Sequence, residues 1–163
     1  MSDEELAQAV GSALVRRIRR ISASGPEAIA KVRRLTEMLQ QVPQTPFVTE
    51  HLLHGGMYTR TIRLPTETVC TAVLIKVPTV LIIQGDCGVF ADNELIVVSG
   101  YSVLPGAAGR KIAFVTRSDV SMSMIFPTAA KTVDEAQREF TDEHDLLVPL
   151  DRPDAHQVLI TGE

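Results

Sequence analysis

The stretch Thr79–Gly109, TVLIIQGDCGVFADNELIVVSGYSVLPGAAG, decides what kind of fold this chain can adopt. Its apolar runs, TVLII, CGVF, ELIVV and YSVL, are each too short to make a stable helix. Each run closes on residues that favour turns: Gly85-Asp86, Asp92-Asn93, Gly100, and the Pro105–Gly109 cluster. Short apolar runs separated by tight turns read as antiparallel strands.

Working outward from this stretch gives more of the same. RKIAFVT and VSMSMIF follow it, and in the second Val120, Met122, Met124 and Phe126 alternate with Ser121 and Ser123. Before it stand YTRTIRL (Tyr58–Leu64), the turn PTET, and VCTAVLIK. Eight or so strands with turns at this spacing predict an antiparallel sandwich or small barrel over residues 47–127. Residues 1–46 read as a helical hairpin or arm. Leu6, Val10, Leu14 and Ile18 form one apolar stripe, with Arg16, Arg17, Arg19 and Arg20 around it. Ile29, Val32, Leu35, Met38 and Leu39 form a second stripe after SASGP. Residues 128–163 read as a short helix, Val133–Phe140, and an acidic tail that lies extended across a partner subunit or is partly mobile.

Composition narrows the function classes. The chain has 163 residues, a net charge of −4, no Trp and only 4% aromatic residues. Residues 1–45 carry seven Lys/Arg against five Asp/Glu, and residues 46–163 carry nine against fifteen. The acidic bulk of the protein is a poor match to a phosphate backbone, so nucleic acid is not an expected partner. No apolar run is long enough for a membrane span, and nothing at the N-terminus resembles a signal peptide. Two cysteines without a CxxC motif fit a reducing, cytoplasmic setting.

The segments HGGMYTRTIRLPTETVCTA, TVLIIQGDCGVF and SGYSVLPGAAGRKIAF resemble the cupin superfamily, and most closely the small cupin-like proteins encoded by bacteriophages and prophages. The resemblance implies a mainly β fold: an antiparallel jelly-roll barrel with the helical arm before it and the helix and tail after it. The chain departs from the metal-binding members of that superfamily. Their His-x-His pair would fall near Leu74 and Lys76, their Glu near Thr79, and their last His near Gly109 or Arg110. No metal or other cofactor is therefore expected in the barrel.

Three sets of residues remain as site candidates. His51 and His54 stand three apart, a spacing that can place two imidazoles together for a metal, with His144 or His156 as further donors. Nothing marks a third ligand, so the simpler reading is a pair of exposed loop histidines beside Gly55-Gly56, leading into the first barrel strand. Tyr58, Arg60 and Lys76 are the ligand-binding candidates. If Ile62 and Leu64 face the interior, parity turns Tyr58 and Arg60 the same way, where a cation at the barrel mouth could hold a carboxylate or phosphate. The alternative puts Arg60 at the rim, paired with an acid or another subunit. Cys70 and Cys87 lack a nearby general base and read as packing residues. GAAGRK sits between strands and lacks the length and Ser/Thr of a phosphate loop, so it is a turn.

These readings lead to a non-enzymatic, oligomeric phage or prophage protein with a structural or accessory, virion-associated role. Its expected partners are its own copies and other phage structural proteins. The alternative is a metal-independent cupin that binds a small anionic ligand as an isomerase-like enzyme, sensor or sequestering protein. A metal-dependent enzyme using the peripheral histidines is the third option.

Overall fold

A computed structural model describes residues 1–17 and 19–163, with side chains described for 1–10 and 19–163. Leu14, Arg16, Arg17 and Ile18, half of the expected first stripe and half of the arginine cluster, lie outside the described side chains. Helices α1 (Asp3–Arg17) and α2 (Pro26–Leu39) come first. Pro26 opens α2, where a missing N–H costs nothing, and the helix buries Ala28 and Val32. It reaches the barrel through a 2.8 Å bond between the Thr36 and Thr71 hydroxyls.

The strands follow: β1 (Thr49–His54), β2 (Met57–Leu64), β3 (Val69–Thr71), β4 (Thr79–Gln84), β5 (Cys87–Ala91), β6 (Glu94–Val98), β7 (Tyr101–Gly106), β8 (Ala113–Thr116) and β9 (Val120–Pro127). Helix α3 (Val133–Phe140) and strand β10 (His156–Ile160) complete the chain. One sheet has the order β10-β1-β2-β9-β4-β7 and the other β3-β8-β5-β6. Without β1 and β10 these are two four-stranded antiparallel sheets with Greek-key connections, a cupin-like jelly roll.

Local chemistry fixes the turns. Gly55 and Gly56 both have positive φ, at 58° and 71°, and join His54 to Met57 in a two-residue hairpin. Asp92 and Asn93 (φ 48° and 64°) do the same between β5 and β6. Two successive positive φ values give the turn whose twist matches the flanking strands, and Gly, Asn and Asp tolerate them best. Thr132 caps α3 by accepting the Glu135 N–H, while Glu135 accepts the N–H of Lys131.

At Gly85 the demand is stricter. Its φ is 123°, and an added Cβ would stand 2.5 Å from the Asp119 carbonyl oxygen, part of the backbone. Gly85→Ala is therefore expected to destabilise by more than about 1 kcal/mol, because both the backbone conformation and the space are wrong. Denaturant melts of the variant check this.

The interior is built in rows across the first sheet. Tyr58 lies opposite Phe126, and the next row is Arg60, Met124, Leu81 and Leu104. Phe140 of α3 closes that end, with ring centroids 6.1 Å from Tyr58 and 6.0 Å from Phe126.

Three expectations change. The segment holding His51 and His54 is no loop but strand β1, paired antiparallel with β2. Its faces do not separate by polarity: His51 and Leu53 point inward, Leu52 and His54 lie opposite, and so alternation gave no signal. The tail folds back on its own chain, where His156–Ile160 adds to β1 in parallel. The second expected strand also shrinks: only Val69–Thr71 pairs, and Ala72–Pro78 leaves the ladder except for a bridge from Ile75 to Arg110.

Candidate functional site

Between the sheets, at the end closed by Phe140, lies a cavity of about 180 Å³. Its walls are mainly apolar: Ile62, Met122 and Met124 from β2 and β9, Ile112 and Phe114 from the β8 side, and Phe47 from the segment before β1. Leu146, Leu147 and Val148 cover it from the chain that follows α3. The volume lies below the roughly 300–1,000 Å³ of sites for drug-sized molecules, so an occupant would be small.

Two cations line this apolar space, Arg60 and Arg110. Strand parity carries Arg60 inward, as its sequence pattern implied. Its guanidinium carbon stands 6.0 Å from the Phe140 ring centroid, and its Nη1 is buried without a hydrogen-bond partner. No ion pair among the described residues involves Arg60. A buried donor left unmade costs about 1–3 kcal/mol, so this arrangement is poor for stability and well suited to receiving an acceptor.

Arg110 is 1% exposed, and no ion pair among the described residues involves it. Its Nη2 donates to Thr79 Oγ1 at 2.6 Å and its Nη1 to the Ala107 carbonyl at 3.0 Å, while Nε has no partner. Burial pulls its pKa down to about 10, which leaves it charged at neutral pH. Gly106 makes room for it: a Cβ there would stand 2.8 Å from the Arg110 guanidinium carbon. Sequence reasoning met Arg110 as part of a turn and as a place where a metal-ligating histidine is missing. The available signal was a charged pair, Arg110-Lys111, opening an apolar strand.

Lys111 is likewise 1% exposed, but it is paired. Its Nζ bonds Glu143 Oε2 at 2.8 Å and the Ala72 carbonyl at 3.2 Å. Glu143 also accepts the Leu74 N–H at 2.8 Å and an Arg33 N–H at 3.0 Å. Partial burial raises the Glu143 pKa, but the bonds from Lys111, Leu74 and Arg33 outweigh it and hold the carboxyl below its ordinary range. This node ties α2, the β3 region and the segment over the cavity together.

Lys76 lies apart from these groups. It is exposed, does not line the cavity, and pairs with Asp142 at 2.6 Å. His54 stands at the exposed hairpin end, where Nδ1 meets the Thr161 hydroxyl at 2.7 Å. His51 is buried at 2% exposure and takes part in a chain of hydrogen bonds. Its Nδ1 is 2.8 Å from the Tyr58 hydroxyl, its Nε2 is 2.8 Å from His156 Nδ1, and His156 Nε2 is 3.0 Å from the Pro149 carbonyl.

Hydrogen-bond logic fixes the direction of that chain. A carbonyl only accepts, so His156 carries its proton on Nε2 and accepts at Nδ1. His51 must then donate from Nε2 and accept from the Tyr58 hydroxyl at Nδ1. With both rings neutral, every polar atom along it is satisfied. Burial first, then the charge of Arg60 and the neighbouring His156, lower the His51 pKa to about 3.

Linkage follows from that value. An unfolded His51 titrates near ~6.5, so between there and about 3 the unfolded chain holds the extra proton. Stability is thus full above pH ~6.5 and is expected to fall by about 1.4 kcal/mol for each pH unit below it. Glu143 acts in the same direction at lower pH, its contribution being present above ~4.3 and lost as pH falls through its lowered folded pKa. Denaturant melts between about pH 8 and pH 4 measure the slope, which His51→Gln should remove above pH 5.

Among the described residues no group of three or more His, Cys, Asp and Glu is placed to hold a metal. The metal bound by many cupins does not fit this cavity, whose charged lining is two guanidiniums with no histidine or carboxylate. Burial also pushes the Cys70 thiol up to about 11, so it is no thiolate at neutral pH. Burial, and then Asp86, raise that of Cys87.

No protein-family model matches the chain, and no curated protein matches it in sequence. Solved structures do resemble its fold. A cupin superfamily protein from Desulfitobacterium hafniense aligns at 15% identity over 69% of this chain and 98% of that one, with a TM-score of 0.44. A cupin-2 domain protein from Shewanella frigidimarina aligns at 9% identity over 57% and 91%, with a TM-score of 0.41. Ethanolamine utilization protein Q from Salmonella typhimurium aligns at 14% identity over 47% of this chain, with a TM-score of 0.40; the match spans 61% of that protein.

Proposed function

We propose that the barrel is a receptor for a small amphipathic carboxylate, which it binds without changing it chemically. The carrying observation is the buried, unpartnered Nη1 of Arg60 in an otherwise apolar cavity. A carboxylate there would gain a charge-assisted bond, and an aliphatic body would lie against Ile62, Met122 and Met124. The planar fork of the Arg60 guanidinium, which is in no ion pair among the described residues, matches the two oxygens of a carboxylate. Among the described residues the cavity lining holds no histidine or carboxylate, and its cysteine, Cys70, is no thiolate, which favours binding over catalysis.

Calorimetric titration with acetate, butyrate and hexanoate, and with the corresponding neutral amides, tests this reading. Carboxylates should bind and amides should not. Equal binding of the two series, or no carboxylate binding at millimolar concentration, overturns it.

A second reading is an oligomeric accessory or virion-associated component encoded by a phage or prophage. It draws support from the outer face of the second sheet, where Val69, Phe90, Leu95 and Val97 are exposed together. Light scattering tests it, since a monomer at micromolar concentration contradicts it.

A further inference from the structure

One carboxylate leaves the cavity charged. The lining carries two guanidiniums, Arg60 and Arg110, and neither enters an ion pair among the described residues. The acceptors that Arg110 does reach are neutral: the Thr79 hydroxyl and the Ala107 and Val77 carbonyls. These bonds hold its guanidinium in place without cancelling its charge. We infer that the cavity selects a short dicarboxylate, with one carboxylate on Arg60 and the other on Arg110. The inference rests on the proposed function and narrows the ligand class of the same site.

Charge decides the number of anionic groups. An ion held in apolar surroundings is costly unless an opposite charge meets it. Two like charges facing one low-dielectric space add their mutual repulsion. A monocarboxylate has oxygens enough for the buried free donors, Arg60 Nη1 and Arg110 Nε. Its single negative charge still leaves the pair of cations one positive. A dicarboxylate brings the lining and its occupant to neutrality.

Register separates the two anchors. Arg60 on β2 lies opposite Met124 of β9, which in turn lies opposite Leu81 of β4. The Arg110 guanidinium is pinned farther across the sheet, at Thr79 of β4 and against Gly106 of β7, which pair with each other. Strand β9 therefore runs between β2, which carries Arg60, and β4, which holds the Arg110 guanidinium. Two strand spacings set the roots of these anchors about 10 Å apart. Met122 and Met124 of β9 and Leu81 of β4 line the cavity between them.

That order, cation, apolar strip, cation, is matched by two carboxylates joined through methylene groups. Each guanidinium fork suits the two oxygens of one carboxylate, and the methylenes lie over the methionines. A cavity of about 180 Å³ keeps the bridge short.

Calorimetric titration with succinate, glutarate and adipate, each set against its own monoamide, tests the inference. A monoamide keeps the length and one carboxylate, so the comparison isolates the second charge. The best diacid should bind about 10- to 100-fold more tightly than its monoamide, the worth of one more contact between charged groups. In Arg60→Met only Arg110 remains as a cation, and that advantage should vanish or reverse. Equal affinities of diacid and monoamide in the wild type, or an advantage that persists in Arg60→Met, overturns the dicarboxylate inference. Binding of butyrate alongside either result leaves the receptor reading intact. Absence of binding by butyrate and by every diacid removes both.

Discussion

Glu143→Ala is expected to lower stability by about 3 kcal/mol, because it strands Lys111 as a buried cation. Lys111 Nζ would keep only the Ala72 carbonyl, the Leu74 N–H would lose its acceptor, and Arg33 would lose its carboxylate. The exposed pairs of this protein, such as Lys76–Asp142 or Arg138–Asp134, are each worth less than about 1 kcal/mol, since water screens both partners. The Glu143 node differs because Lys111 is 1% and Glu143 17% exposed. In a chain of this length the loss corresponds to a drop of about 6–12 °C in Tm. Joint replacement by Lys111→Met and Glu143→Leu should recover most of it, because the cost lies in the unpaired charge. A double variant as unstable as Glu143→Ala would show that packing around the node matters more than its charge.

Arg60→Met should have the opposite effect on stability and the larger effect on function. Removing a guanidinium whose Nη1 is buried and unpartnered relieves a penalty of about 1–3 kcal/mol. Against this stands the lost contact with the Phe140 ring, worth about 0.5–1 kcal/mol. A net gain of about 1 kcal/mol is expected, with Met filling the space beside Met124. Carboxylate affinity should fall about 10- to 100-fold, the worth of one hydrogen bond to a charged group. A residue whose removal stabilises the fold and weakens binding is there for binding. Melts and titrations on the same variant check both halves, and a clear loss of stability would assign Arg60 a structural role instead.

Much of the barrel was readable from residue patterns. Val120–Phe126 and Tyr58–Leu64 alternate, and β9 and β2 are central strands whose inner residues build the core. Val133–Phe140 has its Thr132 cap and a clear apolar face, and helix α3 runs over those residues. The inward turn of Tyr58 and Arg60 follows from the same parity.

What stayed hidden depends on contacts between residues distant in sequence. Nothing local in TEHLLH tells which face is buried, since each face carries one His and one Leu. The partner of His51 stands 105 residues away, on a strand whose pairing is parallel. Lys111 and Glu143 are 32 apart, and each looks like an ordinary surface charge until the fold brings them together. Lys76 shows the converse: proximity in the sequence-based picture suggested a site that the chain's course into an irregular segment does not build.

A crystal structure of the protein grown with butyrate tests the central claim most directly. The account predicts a carboxylate inside the barrel, with an oxygen about 2.7–2.9 Å from Arg60 Nη1 and its carbons against Ile62, Met122 and Met124. Butyrate bound only outside the barrel, with Arg60 still unpartnered, would contradict it.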